Sequence, residues 1–208
     1  MADFINGHYP ALAIEFDPRK CAVLRDRYPS LAVAEGDCHG MDFRQWHGRV
    51  AALHAGVPCP RWSTARRGVG TPPDLSDEVV RIASEIGARY VFLECVPGFA
   101  KEDSILRAKF RRIGIALSRP LILDAASVGA PHPRKRCWYA GYAYNQGESV
   151  VPIYDEAPRL PPPDSSPWEV APILPLADGV ANYWEMECAG DGQVPLCAAV
   201  AWRMLGLP

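Results

Sequence analysis

Short apolar runs separated by polar, glycine and proline punctuation set the pattern of this chain. Ala11-Leu12-Ala13-Ile14-Glu15-Phe16 reads as a short buried strand, and Asp17-Pro18 then opens a helix that stops before Pro29. Leu31-Ala32-Val33-Ala34 and Val50-Ala51-Ala52-Leu53-His54-Ala55 read as further strands, ending at Gly36-Asp37 and at Gly56-Val57-Pro58-Cys59-Pro60. Val79, Val80, Ile82, Ala83 and Ile86 recur at helical spacing behind Asp74 or Ser76 as a cap. Tyr90-Val91-Phe92-Leu93 is a fourth strand, ending at Glu94. Ile105 to Ile113 reads as a basic amphipathic helix, Leu121–Leu123 and Cys137–Ala140 as strands, and Cys197 to Leu205 as a closing helix. This alternation predicts an α/β fold with a mostly parallel sheet.

The periodicity fails between about Ala143 and Asn182. Eight prolines lie between Pro152 and Pro175, and proline at that density blocks both helix and strand ladder. An irregular insertion is expected there.

Composition narrows the class. The chain has 208 residues, 49% hydrophobic and 22% charged, which excludes a fully disordered polymer. No apolar run reaches the roughly 18–20 residues of a membrane span, so no membrane partner is expected. No basic stretch followed by an apolar one opens the chain. Seven scattered cysteines without a C-x-x-C pair point to a reducing cytoplasm and away from a disulfide framework or a metal knuckle. The net charge of −2 is unevenly spread: residues 61–136 carry 14 basic and 8 acidic groups, residues 137–208 only 2 basic and 9 acidic. The basic middle suits a polyanion, or the acidic last third of a second chain.

The candidate chemistry lies at strand ends, where open parallel sheets gather their sites. Cys59 stands between two prolines, which fix the direction of its thiol, and Arg61 beside it favours the nucleophilic thiolate. Glu94 closes an apolar strand and is a candidate proton donor. Arg134 and Arg136 alternate onto one face of an extended segment and offer cations to an anion or a carbonyl oxygen. Glu15 and Asp37, each after a strand, fit a ribose hydroxyl and an adenine amine. Each of these residues also has an ordinary structural reading, as cap, core or surface charge.

Taken in order, the elements resemble the DNA cytosine-5 methyltransferase family, and its short bacteriophage and prophage versions most of all. Gly56-Val57-Pro58-Cys59-Pro60-Arg61-Trp62-Ser63 looks like its Pro-Cys motif, and Leu93-Glu94-Cys95-Val96 like its Glu-Asn-Val motif. Gly129 to Arg136 looks like Gln-x-Arg-x-Arg, with His132 in the glutamine position, and Gly190-Asp191-Gly192-Gln193-Val194-Pro195 like Gly-Asn-x-Val-Pro. The resemblance implies a Rossmann-like methyltransferase fold acting on DNA, as in restriction–modification systems. It implies that Cys59 adds to cytosine carbon 6, that Glu94 holds ring nitrogen 3, and that Arg136 and Arg134 hold the base oxygen. S-adenosylmethionine is the implied methyl donor, with Glu15, Asp37, Pro58, Asp191 and Val194 around it. Arg61, Ser63, Arg66 and Arg67 are the implied DNA contacts. A catalytic domain over 1–142, a short insertion over 143–182 and a closing segment over 183–208 are the expected divisions.

The family normally opens with a strand and a Phe-x-Gly-x-Gly-Gly turn, whereas fourteen residues without that turn precede Glu15 here. The expected sheet is therefore incomplete at its N-terminal strand, with a natural start upstream of this Met1, or a second chain that supplies or covers the strand, as the expected explanations. A catalytically degenerate relative that binds DNA or a partner is the alternative expectation, and a cysteine hydrolase pairing Cys59 with His132 a further one.

Overall fold

In the computed structural model, residues 9–57, 75–130, 133–144 and 195–207 are described. Strand β1 (Leu12–Glu15) leads into helix α1 (Pro18–Arg27). Asp17 caps that helix through a bond from the Arg19 amide, and Pro18, which has no N–H to satisfy, takes the first turn. Strand β2 (Ala32–Glu35) returns parallel to β1, with Glu15 opposite Glu35.

Strand β3 (Ala52–Gly56) and strand β4 (Tyr90–Cys95) pair in parallel on either side of helix α2 (Ser76–Ile86) in the chain. Helix α2 buries Val79, Ile82, Ala83 and Ile86, the expected apolar stripe, and stops at Gly87, whose φ of +64° only glycine adopts without strain. After a 3-10 turn over Pro97–Glu102 come helix α3 (Asp103–Arg111), strand β5 (Ile115–Leu117) and strand β6 (Leu121–Asp124). Strand β7 (Lys135–Ala143) then runs antiparallel to β4 on one side and to β5 and β6 on the other. Its Gly141 is required by close packing: an added Cβ would lie 2.8 Å from Leu117 Cδ2 and 2.9 Å from Ile115 Cγ2.

One apolar cluster joins Val91, Leu93 and Tyr139 of the sheet to α2 and to Leu106 and Phe110 of α3. On the other face, Phe92, Trp138 and Ala140 meet helix α4 (Pro195–Met204) through Ala198, Ala201 and Trp202. Phe92 stacks on Trp138 with centroids 5.2 Å apart, and Trp202 meets Phe92 edge-on. The Tyr142 hydroxyl donates to the Leu205 carbonyl and ties the end of that helical segment to β7.

The α/β class holds, but the sheet is mixed rather than mostly parallel. Among the described residues, parallel ladders join only β1 to β2 and β3 to β4, while all three ladders of β7 are antiparallel. Among the described residues the strands form two sheets, β1–β2 and a five-stranded one, and no ladder joins them. Leu12 and Ile14 of β1 nevertheless pack against the same cluster as Leu53 and Ala55 of β3. Ser76 is the first residue of helix α2 rather than its cap, the capping position being Leu75, which makes no side-chain capping bond; Asp74, the other expected cap, lies outside the described residues. Strand β5 was not expected: three residues after Gly114 are too few to carry a period. Nearly all of the proline-rich insertion also lies outside the described residues.

Candidate active site

Strand β4 is buried on both faces, so it reads as an apolar run, and Glu94 near its end is the exception. Glu94 is only 9% exposed. A carboxylate that dry needs a partner. It has one in Arg136 on the neighbouring β7, whose Nε lies 2.7 Å from Glu94 Oε1. Register explains the meeting. Glu94 stands opposite Trp138, and Arg136, two residues along β7, shares the Trp138 side of the strand.

Gly56, the last residue of β3, stands opposite Glu94 on the other flank. A Cβ at Gly56 would lie 3.6 Å from Glu94 Oε2, so the end of β3 passes close over the carboxylate. The Val57 amide then donates to the Glu94 carbonyl at 2.9 Å. The chain therefore leaves for Pro58 and Cys59 directly from the flank of Glu94. Pro58, Cys59, Arg61, Ser63, Arg66 and Arg67 themselves lie outside the described residues, as do His132, Asp191 and Val194.

Arg134 is placed by its backbone. Its amide donates to Asp124 Oδ1 at 2.8 Å and its carbonyl accepts from the Ala125 amide at 3.0 Å. Asp124 also caps the 3-10 turn over Ala125–Val128 through the Ala126 amide. One carboxylate thus sets both the turn after β6 and the approach of the arginine pair to β7. Sequence reasoning passed over Asp124, although a strand-end aspartate before Ala-Ala-Ser is a capping signal.

Glu15 and Asp37 gather at the end of the two-stranded sheet. The Gly36 amide donates to the Glu15 carbonyl at 3.0 Å, joining the two strand ends. Glu15 Oε1 accepts from the Asp17 amide at 2.8 Å, and the adjacent Phe16 is 72% exposed. Asp37 accepts from the His39 amide at 3.0 Å and from its ring Nδ1 at 2.6 Å. Those bonds, the amide first, hold the Asp37 carboxyl below the usual aspartate value. Asp37, Cys38 and His39 bring carboxylate, thiol and imidazole donors within 4.8 Å of one another. Burial pushes the Cys38 thiol up, away from the thiolate a metal ion needs, and His39 already serves Asp37.

Two acidic strand ends thus lie at the close of β1–β2 and the Glu94–Arg136 pair at the close of β3–β4, on separate sheets. The arrangement offers anionic acceptors for hydroxyl and amine groups at one end. At the other it offers a carboxyl–guanidinium pair able to exchange hydrogen bonds with a polar ring. No helix among the described residues is long and apolar enough to cross a membrane.

A family model described as C-5 cytosine-specific DNA methylase matches residues 6–172. Type II methyltransferase M.Eco47II of Escherichia coli is 30% identical over 138 residues, which cover 62% of this chain and 33% of that relative. Type II methyltransferase M.NgoMIV of Neisseria gonorrhoeae is 32% identical over 130 residues, covering 59% and 41% respectively. The match thus spans well under half the length of either relative. Among solved structures, a DNMT2 variant from Spodoptera frugiperda superposes with a TM-score of 0.58 at 15% identity, over 74% of this chain and 49% of that one. The Dnmt2 methyltransferase of S. pombe gives 0.54 at 16% identity, over 72% and 47%. At that identity the superpositions speak for the fold: a Rossmann-like methyltransferase sheet.

Proposed function

The chain belongs to the C-5 cytosine-specific DNA methylase family, and from that premise we propose that it methylates carbon 5 of cytosine in DNA through a covalent adduct on Cys59. The observation that carries the reading is the Glu94–Arg136 pair at 2.7 Å, beside the strand end that leads into Pro58-Cys59. A cytosine flipped out of its duplex presents ring nitrogen 3 and an adjacent carbonyl oxygen. Glu94 protonates or holds the nitrogen, and Arg136, helped by Arg134, holds the oxygen. The ring then accepts the Cys59 thiolate at carbon 6, the displaced electron pair reaching carbon 5.

S-adenosylmethionine, when bound, supplies an electrophilic methyl group to that carbon. Glu15 and Asp37 suit its adenosine end: both are strand-end carboxylates, and Asp37 is held in its charged, accepting form by His39. Pro58, Asp191 and Val194 complete the cofactor side. Loss of the carbon 5 proton and of the thiolate then restores the ring. Arg61, Ser63, Arg66 and Arg67 follow Cys59 closely in the chain and serve the phosphates. A catalytic unit over 1–142, an insertion over 143–182 and a closing segment over 183–208 make up this reading, with the cytoplasm as its place of work.

The test is methyl transfer from labelled S-adenosylmethionine to duplex DNA. Transfer that disappears in Cys59→Ala, with the fold retained, is the expected result. Transfer surviving that substitution overturns the mechanism. The absence of a ladder between β1 and β3 among the described residues favours a second reading, in which a further chain supplies or covers a strand there. Methyl donor binding that appears only when another polypeptide is added distinguishes it from activity of this chain alone.

A further inference from the structure

We propose that Arg81 and Glu85 of α2 are positioning residues for the methyl donor, acting through the turn that carries Asp37. The inference rests on the reading of Asp37 as a cofactor residue. It concerns side chains that touch neither donor nor base. The turn after β2 follows a strand at the edge of a two-stranded sheet, so few ladder bonds hold it. Helix α2 reaches across to it instead. Arg81 Nη2 donates to the Cys38 carbonyl at 2.8 Å, and Nη1 donates to the Met41 carbonyl at 3.1 Å. Glu85 Oε2 accepts from the Phe43 amide at 2.9 Å. The turn is thus gripped at three backbone points by one turn of a helix whose other face is locked in the core.

The grip is itself preorganised. Glu78 and Glu85 each sit 2.8 Å from the Arg81 guanidinium, on its two terminal nitrogens, and aim its fork at the carbonyls. Arg81 also lies over the Phe43 ring, 5.8 Å from its centroid. Lysine would reproduce the charge but not the fork, because its donors radiate from a single point. Along α2 alone, Glu78-x-x-Arg81-x-x-x-Glu85 looks like an exposed helix ladder. It is the contact with carbonyls about forty residues away that gives the arrangement its purpose.

The experiment compares the whole chain with Arg81→Met, Arg81→Lys and Glu85→Gln, the last retained in case Arg81→Met does not fold. Three quantities are measured: amide exchange over 38–43, calorimetric affinity for S-adenosylmethionine, and affinity for duplex DNA. In Arg81→Met, loss of two charge-assisted bonds should speed exchange in the turn and weaken donor binding by roughly tenfold or more, with DNA affinity unchanged. Arg81→Lys should recover part of the loss. In an Asp37→Ala background, Arg81→Met should cost less than about twofold more, because the pathway through Asp37 is already gone. Unchanged exchange, unchanged donor affinity, or a full additional loss in that background would overturn the proposal. A wild-type chain that binds no donor sinks the cofactor reading and the positioning role with it. Exchange over 38–43 would then show separately whether the clamp itself exists.

Discussion

Glu94 and Asp37 are both carboxylates at the close of a strand, yet their surroundings differ. Glu94 is 9% exposed, lies between two hydrogen-bonded neighbours of a five-stranded sheet, and is paired with the Arg136 guanidinium. The Asp37 side chain is 60% exposed and hangs from the edge of a two-stranded sheet. The first is placed by packing on both faces of β4, the second by polar tethers to its own turn and to α2. Packing is cooperative, so damage near Glu94 should spread through the whole fold. Tethers are local, so damage near Asp37 should stay in the turn.

The largest expected contrast is between two aromatics. Trp138→Ala removes a fully buried ring stacked on Phe92 and should cost about 3–5 kcal/mol in urea unfolding, whereas Phe16→Ala, on the exposed side, should stay within about 0.5 kcal/mol. Equal effects would erase the distinction. The ion pairs give a smaller contrast. Arg136→Ala takes the guanidinium away from a nearly buried carboxylate and should cost about 2 kcal/mol, while Arg25→Ala breaks a solvent-exposed pair with Glu35 and should cost under about 1 kcal/mol. Unfolding of both variants, with the double-mutant cycles Arg136/Glu94 and Arg25/Glu35, measures this directly.

Native-state hydrogen exchange orders the two regions without mutation. Amides of β4 and β7 should open only near global unfolding, and those of β1 and β2 well before it. Exchange of both sets at one free energy would mean a single cooperative unit.

The smallest effect is in pH. The Asp37 carboxyl is lowered chiefly by the His39 amide, and that of Glu85 by the Phe43 amide and then by Arg81. A carboxyl lowered in the fold stabilises it fully above the ordinary values, 3.8 for Asp37 and 4.5 for Glu85, and that contribution is lost as pH falls through the folded midpoints. The turn should therefore stay intact through neutral pH and loosen only in strong acid. Carboxyl carbon NMR checks it, and a midpoint at or above the ordinary value for either residue contradicts it.

Local features of this architecture were legible in the sequence to the extent that local physics decides them. Asp17-Pro18 marks a helix start, the Val79 to Ile86 spacing marks a buried face, and Tyr90–Leu93 marks a buried strand; all three stand within a residue or two of expectation. The direction of β7 was not legible, because parallel or antiparallel pairing depends on partners up to about fifty residues away in the chain. The Glu94–Arg136 pair was foreseeable as two members of one site, but its 2.7 Å contact depends on the register of β4 against β7. Arg81 stayed hidden for the opposite reason. Its local environment, two glutamates at helical spacing, already gave it an ordinary explanation.

Strand β7 also bears on how the chain emerges from the ribosome. Among the described residues it holds three of the five strand pairings, so β4, β5 and β6 cannot complete their sheet until residue 143 has been synthesised. The apolar positions of β4 and β6 would meanwhile wait for their shared neighbour as unpaired edges, the state in which nascent chains are most prone to aggregate. The pair β1–β2, with its partners only twenty residues apart, can form long before. A stall or nonsense codon between the two would leave a fragment that carries Glu15 and Asp37 but neither Arg134 nor Arg136.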